Sequence, residues 1–575
     1  MKEQRSASQV LFGFLPQQTV DLKGRIWKVA EWRQPLVQPV EHESLRAELI
    51  RVTGPWAAAG RDGGYARDLR QRRDLVVYSL SRENGVTVEP FPEVWMCKSC
   101  YRVTDSTLSP CRCGQRRFGQ LPFVHYHDCG ALKPPFVPRC PQHNDVVIRL
   151  PGTASAAEIR FECPQCATVL QRGLGFPKCQ CGATDDQGRP ARMTTNVHRA
   201  SSVYTPRTVV IVNAPSPEKV RRLTAAGGPD RALSWILDGM MTDRVEDVAL
   251  SRDGLLRQLL DNGLPQAVAE KMVEQAETSG AFGEDGDATD LPPDRLEPAR
   301  TGAVTIALAL SESRLRHQDL VEGTEEWSDL GVLYRDKYPP VIGQANLEAV
   351  ELIDSFPVLT ANYGYTRGPA APGASGLVPF RDRRGTYVVY GDVAKTEALF
   401  VRLDPLKVAR WLEAQGFELR AWSDSRSARL AILDASEVPP PGADPGPRTV
   451  GSAILTLVHS YSHRLIRRAA VIAGIDRNAL SELLVPLHLG FFVYAAARGD
   501  FVLGGLQAVF ETELDKLLTD LVTADHRCAL DPGCKRAGGA CMACLHLGEP
   551  SCRYFNAFLD RGTLSGVSGF LRAAT

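Results

Sequence analysis

The sequence lacks the features that would place it in or across a membrane. Its N-terminal stretch, MKEQRSASQVLFGFLPQQTV, has neither the apolar core nor the small-residue cleavage site of a signal peptide. The most apolar C-terminal run, LLVPLHLGFFVYAAARGDFVLGGL, is interrupted by His488 and by Arg498, Gly499 and Asp500, which makes it a poor membrane span. These absences predict a soluble, cytoplasmic protein with no membrane partner.

The sequence also lacks an excess of either charge. It has 67 Lys and Arg against 67 Asp and Glu, so its formal net charge is zero. Bulk attraction to a polyanion is therefore excluded, and any nucleic-acid contact must come from local basic patches. With 575 residues and 44% apolar residues, the chain has the size and composition of an ordinary globular protein of several domains.

Motifs of motors and hydrolases are missing too. A phosphate-binding loop needs glycines before its Lys-Ser/Thr pair, and the nearest string, YGDVAKTE, has Ala394 in front of Lys395 and Thr396. The sequence contains no H-E-x-x-H, no H-x-E paired with C-x-x-C, and no serine nucleophile elbow. We therefore predict a protein that is not an enzyme.

Cysteine is absent between residues 182 and 527 but dense on either side of that gap. Ten cysteines lie between Cys97 and Cys181, and five lie between Cys528 and Cys552. In a reducing compartment, such clusters are more often metal ligands than disulfides.

Four pairs of closely spaced cysteines predict two zinc ribbons in the first cluster. WMCKSC is followed by CRC, and FECPQC is followed by CQC. Two knuckles brought together supply four sulfurs in a tetrahedron, which is the preference of structural zinc. The predicted ligand sets are Cys97, Cys100, Cys111 and Cys113, and Cys163, Cys166, Cys179 and Cys181. Iron–sulfur ligation and metal-free thiols are the alternatives.

A mixed site is predicted between the two ribbons, in HYHDCGALKPPFVPRCPQH. Its ligands are His127, Cys129, Cys140 and His143, with His125 as the alternative to His127. At the C-terminus, Cys534, Cys541, Cys544 and Cys552 are predicted to form a further four-cysteine site, which leaves Cys528 over. The sequence thus predicts three or four Zn²⁺ per chain, each with a closed shell that supports structure rather than catalysis.

The C-terminal cysteine segment carries a family resemblance. DPGC, GACMACL and EPSCRYFNAFLDR resemble the C-terminal zinc-binding domain of MrfA-type DNA-repair helicases, which also occurs in the DrmB proteins of DISARM antiphage defence. AILTLVHSYSHRLIRRAAVIAG and FFVYAAARGDFVLGGL resemble the helix and the strand of that domain. RSASQVLFGFLPQQTVDL, VELIDSFPVLTANYGYTRG and EALFVRLDPLKVARWLE are similar to DrmB rather than to a helicase. The DrmB resemblance implies a DrmA-like helicase as partner, with DNA bound through the complex.

Hydrophobic periodicity and turn-rich linkers divide the chain into five predicted segments. They are a β-rich domain over 1–90, a tandem zinc-ribbon region over 91–195, a helical region over 196–300 that ends in an acidic linker, a mixed α/β region over 301–437, and a helical zinc-binding domain over 449–575. The predicted fold class is therefore α+β multidomain. Within the mixed region, ANLEAVELI is predicted as helix, YVVYG and ALFVRLD as two strands, and PLKVARWLEAQ as helix.

Several basic and histidine residues are candidates for contacts with nucleic acid. The arginines form three groups: Arg112, Arg116 and Arg117; Arg381, Arg383 and Arg384; and Arg464, Arg467 and Arg468. His459 and His463 share one face of a predicted helix, where they either contact a metal or nucleic acid or form a buried pair, which is the interpretation we favour.

Three functions are compatible with these residues. The leading prediction is a zinc-binding accessory subunit of a DNA helicase in antiphage defence. The second is a stand-alone DNA- or RNA-binding regulator that uses its zinc ribbons as readers. The third is an enzyme with an unrecognised site.

Overall fold

The computed structural model of the chain describes two compact units that contain both helices and strands, which confirms the α+β multidomain class. One unit combines Met1–Ile211 with Leu359–Val393, and the other combines Val212–Val358 with Ala394–Thr575. The structure describes residues 10–571 except 12, 82, 152–155, 185–186, 213, 246–255, 257–258, 261–263, 279–290, 312, 370, 372, 441–442, 444–445, 496–503, 524–526, 537, 549–551, 553, 555 and 566–567. The division into five segments stays a prediction. Residues 279–290 of the acidic linker lie outside the described residues, and its last residues begin the helix Pro293–Leu310.

The helices of the described residues include none that is both long and apolar enough to cross a membrane. The longest, Val450–Ile472, carries charged residues along its last two turns.

The first unit consists mainly of short strands. Its helices span His42–Val52, Gly54–Ala58 and Tyr65–Arg70, with a 3₁₀ turn at Ala156–Glu158. Its strands span Thr19–Leu22, Arg25–Trp32, Leu36–Val37, Leu75–Ser79, Val86–Pro90, Trp95–Cys97, Val103–Thr104, Phe118–Gln120, Phe123–Tyr126, Leu132–Lys133, Val147–Arg149, Arg160–Glu162, Val169–Arg172, Thr194–Val197 and Leu377–Pro379.

Three of its sheets carry the first cysteine cluster. Each has three antiparallel strands, and their central strands are Trp95–Cys97, Phe123–Tyr126 and Arg160–Glu162. Strands of three or four residues bury little apolar surface, so sheets of this size need further support. Three of the knuckles that hold the cysteines begin where these central strands end, and the other three lie in the connections between strands.

The second unit is richer in helix. Its helices span Pro217–Ala225, Gly228–Leu237, Gln266–Thr278, Pro293–Leu310, His317–Glu322, Asp329–Val332, Tyr338–Gln344, Pro405–Ala414, Ser425–Ala435, Val450–Ile472, Gly505–Ala508, Leu514–Thr523, Gly533–Arg536 and Arg561–Ser565, with π turns at Leu333–Lys337 and Val509–Glu513 and 3₁₀ turns at Arg477–Ala479 and Pro486–His488. Its strands are Leu315–Arg316, Leu480–Val485 and Gly490–Ala495. Three longer strands, Thr205–Val212, Leu347–Thr366 and Tyr387–Leu403, run through residues of both units along the chain.

The helix Val450–Ile472 lies in the core of the second unit. Thr449 caps it, because its Oγ1 accepts a hydrogen bond from the Ser452 amide at 3.2 Å, and the helix ends before Gly474, whose φ is +66°. Most of its side chains are buried, including those of Ser460, Ser462 and both histidines, so the helix packs on all sides.

Two predictions for the mixed region differ from the structure. ANLEAVELI is not helical, since Leu347 begins a strand that continues to Thr366. The two strands predicted at YVVYG and ALFVRLD form one continuous strand, Tyr387–Leu403. Both segments are buried on two faces, and a buried apolar run can be read as either helix or strand from periodicity alone. The helix predicted at PLKVARWLEAQ is present as Pro405–Ala414.

Candidate metal centres

Five groups of four side chains each bring one donor atom within 4.8 Å of one another and could hold a metal ion. We name them the ribbon site (Cys97, Cys100, Cys111, Cys113), the outer site (His127, Cys129, Cys179, Cys181), the inner site (Cys140, His143, Cys163, Cys166), the C-terminal cysteine site (Cys528, Cys534, Cys541, Cys544) and the helix site (His459, His463, Glu482, Cys552). All 15 cysteines of the chain belong to one of these groups.

The ribbon site contains the four cysteines predicted for it. Cys97 Sγ lies 3.7 Å from Cys113 Sγ, and Cys100 Sγ lies 3.4 Å from Cys111 Sγ. Burial alone would raise the pKa of Cys97, but the Cys100 and Ser99 amides and the neighbouring cysteines lower it to about 6. The thiolate that a metal requires is therefore favoured at this position.

The inner and outer sites combine the predicted ligands differently from the prediction. The proposed set Cys163, Cys166, Cys179 and Cys181 does not form, and neither does the mixed set of His127, Cys129, Cys140 and His143. Instead, His143 Nδ1 lies 3.5 Å from both Cys140 Sγ and Cys163 Sγ in the inner site. In the outer site, Cys129 Sγ lies 3.6 Å from Cys179 Sγ.

The reason for this arrangement is visible in the knuckles themselves. In the first cysteine cluster, three knuckles have two residues between their ligands, and each is followed by a non-glycine residue with positive φ: Tyr101 at +61°, Asn144 at +46° and Ala167 at +58°. Their amides donate to the carbonyls of Cys97, Cys140 and Cys163 at 2.9, 2.8 and 2.9 Å. The inner site joins two knuckles of this type.

The other three knuckles have one residue between their ligands and end in glycine. Gly114, Gly130 and Gly182 follow Cys113, Cys129 and Cys181, with φ of +82°, +94° and +80°. The outer site joins two knuckles of this second type, whereas the ribbon site joins one of each. Pairing knuckles of the same type would have predicted the ligands of the inner and outer sites. Our prediction instead followed the ribbon site, which joins one knuckle of each type.

His127, and not His125, contributes to the outer site. His127 Nδ1 lies 3.6 Å from Cys181 Sγ. His125 is buried and engaged elsewhere: its Nδ1 lies 2.6 Å from Thr195 Oγ1, and its Nε2 accepts a hydrogen bond from the Phe136 amide at 3.2 Å. Burial lowers the pKa of His125.

The C-terminal cysteine site includes Cys528, which the prediction left over, and not Cys552. Cys528 Sγ lies 3.4 Å from Cys541 Sγ, and Cys534 Sγ lies 3.7 Å from Cys544 Sγ. Asp531 holds the loop between the first two ligands, because its carboxylate accepts from the Cys528 amide at 3.2 Å and pairs with Arg561.

Cys552 lies instead against the helix Val450–Ile472, in the helix site. Its Sγ is 3.2 Å from His459 Nε2, and His459 Nε2 is 3.0 Å from His463 Nε2. Glu482 Oε1, from the strand Leu480–Val485, is 3.1 Å from His459 Nε2 and 3.3 Å from His463 Nε2. All four residues are buried, as we favoured for the histidines, but they form part of a larger cluster of donors.

Electrostatics within the helix site favour a charged carboxylate. Burial alone would raise the pKa of Glu482, but the two histidines lower it far below the usual range of a carboxyl. Burial would likewise lower the pKa of His463, yet Glu482 and Cys552 raise it. Sequence reasoning missed Glu482, and the four-residue spacing of the histidines was the one signal of this group.

The predicted arginines differ in their surroundings. Arg112, Arg116 and Arg117 are exposed, and Arg112 Nη1 lies 3.2 Å from the buried Asp145 carboxylate. Arg383 pairs with Glu31 at 2.9 Å, Arg381 stacks on the ring of Tyr387 at 3.9 Å, and Arg384 is exposed.

The third arginine group does not form an exposed stripe. Arg464 is buried, and burial lowers its pKa to about 10. Arg467 donates to the carbonyls of Ala543 and His546 at 2.9 and 3.1 Å, next to the C-terminal cysteine site, and Arg468 pairs with Asp520 at 3.3 Å. Arg464 and Arg467 thus contribute to packing within the second unit.

Comparison with known protein families gives a match in the N-terminal part of the chain. A family model described as a domain of unknown function (DUF8724) matches residues 6–205, which include the ribbon, outer and inner sites. No curated protein matches the sequence.

Proposed function

We propose that the chain is a non-catalytic, zinc-binding accessory subunit of a separate DNA helicase in antiphage defence. The observation that carries the zinc part is the set of four clusters in which four cysteine or histidine donors converge: the ribbon, outer, inner and C-terminal cysteine sites. The helicase and defence parts rest on the resemblance of the C-terminal segment to DrmB and MrfA-type proteins.

The geometry of the clusters fits the size of a zinc ion. Four sulfurs at the usual Zn–S distance of about 2.3 Å lie about 3.8 Å apart in a regular tetrahedron. The sulfur atoms of Cys100 and Cys111 in the ribbon site lie 3.4 Å apart, and those of Cys140 and Cys166 in the inner site lie 3.9 Å apart. All donor atoms of a cluster lie within 4.8 Å of one another. Zinc with thiolate and imidazole ligands fits this donor set better than iron–sulfur ligation, because two of the clusters include a histidine.

Such closed sites support a scaffold and leave no position for substrate. Four protein donors complete the tetrahedron, whereas catalytic zinc keeps a position open for water. Structural zinc can contribute on the order of 10 kcal/mol to the folding of a small module. The three-stranded sheets around the first cysteine cluster are modules of that kind.

A contact with DNA would use the exposed end of the ribbon site. Arg116 and Arg117 are exposed beside Cys113, and arginines in such positions contact phosphates without reading sequence. Since the net charge of the chain is zero, we propose that such a contact assists a partner that binds DNA more strongly.

Reconstitution with a helicase tests the proposal. The full chain is co-expressed with a DrmA-like helicase, and co-purification, DNA binding and DNA-dependent ATP hydrolysis are measured. We expect a stable complex, no ATP hydrolysis by the chain alone, and tighter DNA binding by the complex than by the helicase. Arg116→Glu with Arg117→Glu should weaken DNA binding without disrupting the complex, and Arg410→Glu, another exposed arginine, serves as the control.

Two results would overturn the proposal. ATP hydrolysis by the purified chain would show that it is an enzyme. Salt-dependent DNA or RNA binding by the chain alone, with no gain from the helicase, would instead support the stand-alone regulator that uses its ribbons as readers.

A further inference from the structure

We propose that the helix site is a fifth metal site, in which His459, His463, Glu482 and Cys552 bind one zinc-type divalent cation. This inference is independent of the helicase assignment. It concerns residues outside the four cysteine-rich sites. The metal would lie in the buried core of the second unit and connect the helix Val450–Ile472 to Cys552.

The donor atoms have the spacing that a tetrahedral ion requires. Nitrogen and oxygen ligands at about 2.0–2.1 Å from zinc lie about 3.3 Å from one another. The distances from His459 Nε2 to His463 Nε2 and Glu482 Oε1 are 3.0 and 3.1 Å. Cys552 Sγ lies 3.2 Å from His459 Nε2, against about 3.6 Å for a nitrogen and a sulfur ligand of one zinc ion. Four donors from a helix, a strand and a loop thus meet at one point.

Neighbouring groups orient these donors. His463 Nδ1 lies 2.9 Å from the carbonyl oxygen of Leu545, and a carbonyl only accepts, so Nδ1 carries the proton. In a neutral His463 ring, the lone pair of Nε2 therefore faces the other donors. Ser462 Oγ donates to Glu482 Oε2, which leaves Oε1 facing both rings. Such supporting hydrogen bonds are usual around metal ligands.

The sulfur of Cys552 is supported in the same way. The backbone amide of Asn556 donates to Cys552 Sγ at 3.3 Å, a contact that stabilises a thiolate. Asn556 in turn bridges to Leu547, because its Nδ2 donates to the Leu547 carbonyl at 3.0 Å. Leu545, Leu547 and Asn556 are thus held close to the donors of the helix site.

Charge balance explains how this cluster can be buried. All four side chains are buried, at 2% exposure or less. A divalent cation with one carboxylate, one thiolate and two neutral imidazoles has no net charge, and burying a neutral group costs far less than burying an isolated ion. Imidazole, thiolate and carboxylate together suit zinc.

Counting metal ions per chain tests the site. Native mass spectrometry and elemental analysis of the full chain should give five zinc ions. Cys552→Ser and Glu482→Gln should each give four. Ser460→Ala is the matched control, because it removes another buried side chain of the same helix that hydrogen-bonds the C-terminal segment, through the Asp560 amide at 2.9 Å, and it should retain five.

A second measurement decides the matter if the variants do not fold. Zinc-edge X-ray absorption of the wild-type chain should show, on average, one nitrogen or oxygen donor per zinc when the helix site is filled, and one for every two zinc ions when it is not. Four ions per wild-type chain, or five in a folded Cys552→Ser variant, would overturn the proposal.

Discussion

The Sγ atoms of Cys129 and Cys179 lie 3.6 Å apart, although fifty residues separate them in the sequence. All four ligands of the inner site lie within that interval. The two sites are therefore nested: the outer site closes a long loop, and the inner site closes a shorter loop inside it. Bringing the ends of the longer loop together costs more chain entropy.

Nesting predicts unequal effects of ligand removal. Cys179→Ser should release the zinc of the outer site while the inner site stays filled, because the inner ligands come from knuckles that do not depend on Cys179. Metal analysis should show the loss of one ion, and trypsin should cleave between residues 182 and 193. Gln180→Ser, at the exposed position between two ligands, is the control and should lose no metal. Loss of two ions from Cys179→Ser would contradict this arrangement.

The backbone after the Cys163–Cys166 knuckle of the inner site predicts a stabilising substitution. Ala167 has a φ of +58°, a region that costs an L-residue about 1–2 kcal/mol and that glycine adopts freely. Ala167→Gly should therefore slow the removal of zinc from the inner site by a chelator. Ala183→Gly is the matched control, since Ala183 also follows a knuckle but is not among the residues with positive φ, and it should bring no such gain. Equal chelation rates for Ala167→Gly and wild type would contradict the prediction.

A buried ion network should stabilise the second unit. Glu351 accepts from Arg314 Nε at 2.8 Å and from Arg402 Nη2 at 2.9 Å, and all three side chains are largely buried. Glu351→Ala removes the carboxylate that these two buried guanidinium groups share, although Arg402 keeps its pairing with Glu348 at 2.9 Å. The free energy of unfolding in urea should therefore fall by about 3–5 kcal/mol.

An exposed ion pair of the same unit provides the control. Lys516 pairs with Glu513 at 2.6 Å on the surface of a helix, and Lys516→Ala should hardly move the unfolding midpoint. A midpoint of Glu351→Ala that matches that of the control would contradict a stabilising role for the network.

His488 should make stability depend on pH. Burial lowers its pKa from 6.5 to about 4, so the unfolded chain binds a proton over a range in which the folded chain does not. Its contribution is complete above pH 6.5 and is lost as the pH falls towards 4. At about 1.4 kcal/mol per pKa unit, the loss amounts to about 3 kcal/mol.

The variant His488→Gln isolates this contribution. Acid also releases zinc, so the relevant quantity is the difference between the two proteins in urea unfolding at pH 7 and pH 5. Since glutamine has no titrating ring, the variant should lose less stability than wild type over that range. Equal losses would contradict the assignment.

The sequence predicted ligand types better than ligand partners. Cys97, Cys100, Cys111 and Cys113 could be grouped because they lie close together in the sequence, within one three-stranded sheet of consecutive strands. Cys163 and Cys166 could not, since their partners are fixed by the folding of strands that the spacing alone does not place. Glu482 was beyond sequence reasoning for the same reason: it reaches the helix site through the pairing of two strands.

Pattern reading was least reliable in buried segments. Residues 347–353 are apolar enough to fit either period, and their place in a long strand is set by tertiary contacts. The helix Val450–Ile472 and its histidines were easier to place, because apolar residues recur there at intervals of three and four over 23 residues. The residues that this helix packs against could be identified only from the structure.

The position of Cys552 along the chain also bears on biogenesis. The knuckles of the ribbon site are complete once residue 113 has left the ribosome, so that module can take up its ion early. The helix that carries His459 and His463 must wait until Cys552 has been translated before its four donors can assemble. A nascent chain stalled in between would expose two histidines and a glutamate to water, and a chaperone or an early partner could shield them during that interval.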